Sequence, residues 1–244
     1  MLSETALQNT ENHRTRTGAN RREKMRARLI EGALLVFARH GIEGSVIDEV
    51  IDTADVSRGT FYNYFGTHEE LLTAVAEEVG NQMLLVVDPV VSRYADPAVR
   101  VACGVRLSLM MARAHPHLAA FISRVGPPAL GSQSLVTEYL PRDLSGGMAT
   151  GRFSQLHPRL AFDLVTGPVL AGFHTLLNEP VPVTYPQEMA QAVLQSLGVA
   201  KAMARKLAWI ALDELALPHD SLLVRTQSRA SQLGMDLPLA GSPA

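Results

Sequence analysis

The chain has 244 residues, with 22 Lys or Arg against 24 Asp or Glu, a formal net charge of −2 and 47% hydrophobic residues, enough to bury the core of one or two domains. Its single cysteine, Cys103, excludes an intramolecular disulfide and suits a reducing cytoplasm. Residues 1–20 lack the apolar centre of a signal peptide and no apolar run approaches the ~20 residues of a membrane span, so the expected location is cytoplasmic, with no membrane partner.

The first 20 residues, rich in Thr, Asn, Glu and Arg, read as a disordered or basic arm. Over residues 14–30, Arg14, Arg16, Arg21, Arg22, Lys24, Arg26 and Arg28 face one acid, Glu23. A solvated arm is the plain reading. Its position ahead of the elements described next favours contact with phosphate or a minor groove, and Arg22 is nominated for it. Ile30, Ala33, Leu34 and Phe37 then repeat at i, i+3, i+4, i+7, which predicts a first helix stopped at Gly41.

From residue 45 to 72 the chain carries three helix starts in close succession. Ser45 caps a short helix whose stripe is Ile47, Val50, Ile51 and Ala54, with Asp48 and Glu49 in the first turn where the helix dipole favours negative charge. Ser57 caps a second, with Val56 and Phe61 placed as a hydrophobic staple, and Thr67 with Glu70 forms a capping box for a third. Helices joined by so few residues cross steeply, and the second is pushed outward. This outward segment, residues 58–64, holds Arg58, Thr60, Tyr62, Asn63 and Tyr64 around Gly59. Arg grips guanine edges, Asn pairs with adenine, and hydroxyls hold phosphates. The glycine, costing roughly 1 kcal/mol in a helix interior, suggests close approach of a backbone or phosphate. Any one of these residues alone reads as an ordinary polar surface. Together with the caps they predict a helix-turn-helix at about 45–64, with Arg22, Ser45, Val46, Ser57, Arg58, Gly59, Thr60, Tyr62, Asn63 and Tyr64 as DNA contacts; His68 joins them only through the family resemblance given below.

The third helix continues through Val75, Ala76, Val79, Met83 and Val86 until Pro89 breaks it. Further helices are predicted at about 97–114, 117–125, 133–150, 157–177, 186–197 and 201–217, each bounded by Gly or Pro. No stretch alternates with period two, so the fold class is all-α. The tail, residues 218–244, reads as a marginal helix and then a loose end.

No catalytic signature is present: there is no G-x-S-x-G, no phosphate-binding glycine loop and no H-E-x-x-H, and Cys103 has no recognisable partner. His115 and His117 flank a proline, which gives them no common helical face and no carboxylate cluster. The chain is therefore read as a non-enzyme with no cofactor and no metal. Two alternatives stay open, a metal-sensing regulator and a protein-interaction module that reuses the helix-turn-helix. The latter would not need the basic segment.

The A-x-x-x-F of Ala33 and Phe37, Gly41, and the run A-D-V-S-R-G-T-F-Y-N-Y-F over residues 54–65 resemble the amino-terminal signature of the TetR family of bacterial regulators. Gly151-Arg152-Phe153, Leu197-Gly198-Val199 and residues 157–177 resemble, less specifically, the family's carboxy-terminal body. Three positions depart from the pattern. Asp55 stands for the usual turn glycine, and it tolerates a left-handed conformation. His68 stands for the usual lysine, which makes that phosphate contact weaker or pH-dependent. Ile51 stands for a small alanine.

The resemblance implies a DNA-binding domain at 21–82 and a ligand-binding and dimerisation domain at 83–217. The expected partners are a double-stranded operator, a second copy of the chain and a small, largely apolar effector that releases a repressor from DNA. Two readers about 34 Å apart require a dimer. The interface is expected on helices at about 159–177 and 186–215, through Phe162, Gly167, Leu170, Ala171, Val193, Leu194 and Leu197. Leu107, Met110, Met111, Phe121, Phe173 and His174 are expected to line the effector pocket, since Met and Phe make adaptable apolar walls and His can orient a polar group. Each of these positions reads equally as plain core.

Overall fold

A computed structural model describes residues 2–42, 46–126, 136–212 and 217–238. Among them there are eleven helices and no strands. The first, α1 (Leu2–His40), runs where a disordered arm was expected over residues 1–20. The segment has no proline and many good helix formers (Leu, Ala, Glu, Gln, Arg), so nothing local interrupts the helix that Ile30, Ala33, Leu34 and Phe37 anchor in the core.

The reader follows as α2 (Val46–Ala54) and α3 (Arg58–Tyr62). Asp55 takes φ +51° in the turn between them, and its carboxylate accepts from Arg28 Nη2 at 2.7 Å, tying the turn to α1. The crossing of α1 and α2 is close, because a Cβ at Gly32 would stand 3.2 Å from Ala54 Cβ. Phe61 is fully buried beneath α3. The expected Ser45 cap lies outside the described residues.

Next comes α4 (His68–Val91), which joins reader to body. Thr67 Oγ1 accepts from Glu70 N at 3.1 Å, and Glu70 Oε2 accepts from Gly66 N at 2.7 Å, closing the expected box one residue early. Pro89 does not stop the helix at once. It falls in the last turn, and α4 ends two residues later at Val91, with Ser92 as its C-cap.

The body comprises α5 (Pro97–Ala114), α6 (Pro116–Val125), α7 (Val136–Ala149), α8 (Pro158–Asn178), α9 (Tyr185–Ser196) and α10 (Lys201–Ala208). The start expected for α7 at 133–135 lies outside the described residues. Asp96 caps α5 by accepting from Ala98 N, and its carboxylate is gripped by Arg152 Nε and Nη2 at 3.0 and 2.6 Å. The Gly151-Arg152-Phe153 turn is thus locked to the start of α5. Ser154 N donates to Leu197 O at 2.9 Å beside Gly198, whose φ is +92°. The helix expected to reach residue 217 stops instead at Ala208, and Arg106 Nη1 takes the Ile210 carbonyl at 2.6 Å.

The tail holds the expected helix, though a packed one where a marginal one was expected. Residues Leu222–Leu233 form α11, capped by Ser221 and closed by Gly234 at φ +64°, with Leu222, Leu223, Thr226 and Ala230 buried. Residues 239–244 lie outside the described residues. One helix, α8, is long and apolar enough to cross a membrane by length and composition alone, contrary to the expectation that no run comes close, and 33% of that stretch is buried.

Candidate nucleic-acid interface and effector cavity

At the start of α3, Ser57 Oγ accepts from Thr60 N at 3.1 Å and sits 2.8 Å from Thr60 Oγ1. This cap orients the helix so that Arg58, Gly59, Tyr62 and Asn63 are exposed, Tyr62 by 48%. A Cβ at Gly59 would meet only Ser57 Oγ, at 4.0 Å, so nothing within the chain requires glycine there. Arg22 of α1 lies over the Tyr64 ring, 5.8 Å from its centroid. Arg21, Arg22 and Met25 share a groove with Thr60, Asn63 and Tyr64, so the basic helix and the reader form one continuous face. Arg58 is not idle: its guanidinium is paired with the Asp48 carboxylate of α2. With both side chains about 60% exposed, such a pair is worth at most about 1 kcal/mol and is readily exchanged for phosphate.

Two expected contacts are displaced. Val46 is only 5% exposed and belongs to the core, because it stands one turn before Val50 on the buried face of α2, whereas Ile47, where the stripe was expected to begin, is half-buried. The His68 ring stands edge-on against Phe37, 5.4 Å between centroids, and its Nε2 is enclosed without a partner among the described residues. A position expected to offer the ring to phosphate therefore packs it inward. Thr60 and Tyr64 are half-buried.

The body holds a partly open cavity of about 150 Å³ bounded by α4, α5, α6, α7 and α8. Its apolar walls include Val79, Met83, Val87, Val105, Ile122 and Phe173, and its polar corner is made of Asp88, Arg100, Tyr139, Arg142 and Asp143. Asp143 is 5% exposed. Its Oδ1 accepts from Arg100 Nη2 at 3.0 Å and Arg142 Nε at 3.3 Å, while Arg142 covers the Tyr139 ring at 4.7 Å. Arg100 Nη1 is spent on the Tyr94 and Ala95 carbonyls at 3.1 and 3.3 Å. Arg100 Nε is enclosed and has no partner among the described residues. An unmet buried donor costs about 1–3 kcal/mol, which a ligand oxygen reaching it would offset.

Of the six residues expected at the pocket, only Phe173 lines it. Leu107, Met110, Met111 and Phe121 pack elsewhere in the core, Phe121 stacking on Phe37 of α1 at 6.3 Å. His174 is exposed and bonds Ser123 Oγ at 3.1 Å. The expectation weighed residue type over helix phase: on α5 the cavity takes Arg100, Val101, Gly104, Val105 and Ser108, whereas Leu107 and Met111 lie on another face. A legible signal existed in Arg100, Gly104 and Ser108, a polar and small stripe at i, i+4, i+8 on one side of a helix rich in Val, Leu and Met.

The expected interface divides likewise. Val193, Leu194 and Leu197 are 1% exposed or less and close the monomer core, and Leu170 lines the cavity. Gly167 and Ala171 are exposed and Phe162 half-buried. With Leu160, 48% exposed, and Leu164 they give α8 an uncovered small and apolar outer face. His117, considered earlier as a metal ligand with His115, is buried, with Nε2 2.8 Å from the Met235 carbonyl.

Residues 29–75 match the family model for bacterial regulatory proteins of the tetR family, and residues 96–209 match that for the tetracyclin repressor-like C-terminal domain. The crystal structure of RolR in complex with resorcinol superposes with a TM-score of 0.65 at 32% identity, covering 81% of this chain and all of that one. An uncharacterized HTH-type transcriptional regulator of Mycobacterium tuberculosis is 28% identical over 120 residues, 48% of this chain and 57% of its own length. The HTH-type transcriptional repressor AcnR of Corynebacterium glutamicum is 37% identical over 62 residues, 25% of this chain and 33% of its own. The chain thus spans between about a third and little more than half the length of the curated relatives it matches.

Proposed function

The chain belongs to the TetR family of bacterial regulatory proteins, and on that premise we propose that it is a homodimeric transcriptional repressor, acting in the cytoplasm, released from its operator by a small hydroxylated aromatic molecule. Residues 21–82 form the DNA-binding unit and residues 83–217 the effector and pairing body. The observation that carries this reading is the cavity. Its volume of about 150 Å³ suits a single ring, since an engineered cavity of about that size takes up benzene. The corner of Asp143, Arg100 and Arg142 supplies donors and an acceptor for ring hydroxyls. The resorcinol complex of RolR supports the same ligand class.

Release follows from α4. Val79, Met83 and Val87 line the cavity, and the same helix begins at His68, just beyond the reader. A ligand that favours one position of α4 shifts the population of reader orientations, and two readers then no longer meet successive major grooves. On DNA, Arg58 leaves Asp48 for a base edge or phosphate, Asn63 and Tyr62 contact bases and backbone, and Arg22 follows the flanking groove. Pairing uses the outer face of α8 through Leu160, Leu164, Gly167 and Ala171, with Phe162 at its edge.

The test is selection of genomic fragments on the purified full chain, followed by anisotropy titrations of a retained duplex across a salt series, with and without resorcinol. Salt-dependent binding that resorcinol reverses is the expected result. Failure to retain any duplex in a salt-dependent way would sink the reading and leave a protein-interaction module in its place.

A further inference from the structure

The helix α11 follows both family-matched segments, yet it is tied to three other helices, α1, α4 and α6. Its ends are closed without help from neighbours: Ser221 Oγ accepts from Val224 N at 3.4 Å, and Met235 N donates to the Ala230 carbonyl at 2.9 Å past the left-handed Gly234. One end touches α4, where Gln82 Oε1 accepts from Leu222 N at 3.3 Å, within a turn of the cavity residues Val79 and Met83. Beyond the other end, the Met235 carbonyl meets His117 Nε2 of α6. Ala230 and Met235 pack with Leu35 of α1.

The middle of α11 reaches the DNA-binding unit. Glu31 of α1 is 9% exposed, a carboxylate that needs paired charge to be tolerated there. It accepts from Arg225 Nε at 3.1 Å, and Arg229 Nε lies 4.0 Å from its other oxygen. The Arg229 Nη2 donates to the Thr53 carbonyl, in the last turn of α2. That turn has no basic residue of its own. A cation at a helix C-terminus both satisfies an end carbonyl and complements the dipole. For α2 it arrives from a residue 176 positions away.

We propose that α11 is a brace that positions the reader helices against the body, with Arg229 and Arg225 as the positioning residues. Arg229 fixes the end of α2 one residue before the Ala54–Asp55 turn, so the angle at which α3 leaves that turn is set from the C-terminal helix as well as from α1. The same helix is bonded to α4 beside the cavity, so reader and cavity share a rigid neighbour. The consequence for DNA affinity rests on the function proposed above, whereas the effect on reader rigidity does not.

The experiment uses the full chain with Arg229→Ala, Arg225→Ala/Arg229→Ala, and Glu31→Gln, which keeps the shape of the side chain and removes its charge. Hydrogen exchange is followed by mass spectrometry over α2 and α3 and, as reference, over α5 and α8. The expected result is a rise of about tenfold in α2 and α3 exchange for Arg229→Ala, more for the double variant and less for Glu31→Gln, with α5 and α8 unchanged. Affinity for the selected duplex should fall about tenfold, with resorcinol binding unaltered. Unchanged exchange over α2 and α3 in the double variant overturns the brace. A uniform rise that includes α5 and α8 also overturns it, since α11 would then stabilise the whole chain without positioning the reader. If the parent chain binds no duplex, the DNA reading fails by itself and the exchange comparison still decides the brace.

Discussion

Filling the cavity at Gly104 should separate stability from response. Gly104 sits in the interior of α5 and lines the cavity, and a Cβ built there meets no atom within 4 Å. Gly104→Ala removes a helix-interior glycine, worth about 1 kcal/mol, and buries a methyl, worth about 0.8 kcal/mol. The net gain is about 1–2 kcal/mol, which for a chain of this size raises Tm by about 3–6 °C. Gly104→Leu places four carbons in a space that suits one benzene-sized ring, so a bound ring would overpack the site by about 1–3 kcal/mol. Resorcinol affinity, measured by calorimetry, should fall about 10- to 100-fold, while the duplex is held as tightly as by the parent and no longer released. Scanning calorimetry supplies the stability arm. A drop in Tm for Gly104→Ala would mean that the cavity is not open space, and undiminished release in Gly104→Leu would place the effector elsewhere.

The Asp48–Arg58 pair makes a second prediction: Asp48→Asn should tighten duplex binding about 3- to 10-fold at low salt, by freeing Arg58 and deleting a negative charge from the DNA-facing side. Stability should change by no more than about 0.5 kcal/mol, because the pair is exposed. Weaker binding in the salt-series anisotropy would show that Asp48 orients Arg58 for its contact. Burial pushes the Cys103 thiol up to about 11, against a smaller opposing pull from Arg106. At pH 8 about 0.1% is then thiolate, against roughly 10% at the ordinary value, so maleimide labelling should be about 100-fold slower in the native chain than in denaturant. Equal rates would contradict the burial. On α8, Leu160→Glu/Ala171→Glu should give a folded monomer in sedimentation, since both positions are exposed in the single chain. A persisting dimer would move the interface off this face.

Burial of His115 lowers its pKa from the ordinary 6.5, so the stability linked to its neutral form is complete above that value. It declines as pH falls below 6.5 and the unfolded chain takes up the proton first. His115→Gln should flatten that part of the Tm-against-pH curve, and an unchanged curve would assign the decline to other groups.

The reader was legible in the sequence because its signals are local. Ser57, Thr67, Glu70 and the left-handed Asp55 act within one turn of themselves, and the stripes of α1 and α2 declare their buried faces by period alone. Phase failed at the cavity. Leu107, Met110, Met111 and Phe121 are the residue types of a pocket wall, yet they face other helices, and the polar corner is assembled from α4, α5 and α7. Three residues expected at the dimer interface are placed likewise: Val193, Leu194 and Leu197 are apolar enough for an interface, and only the packing of α9 against α5 and α10 shows them closed inside one chain.

By itself, then, the sequence determined the all-α class, the three helix starts of the reader and the basic face beside them. Those depend on hydrogen bonds and side-chain repeats that reach no further than i+4. The tertiary structure alone decided which faces meet: Asp143 between Arg100 and Arg142, His68 turned in on Phe37, and Arg229 capping Thr53 from the far end of the chain. Apart from the adjacent Arg142 and Asp143, such pairs lie tens to nearly two hundred residues apart. Their partners are chosen by how whole helices dock, a choice that residue type and spacing do not encode.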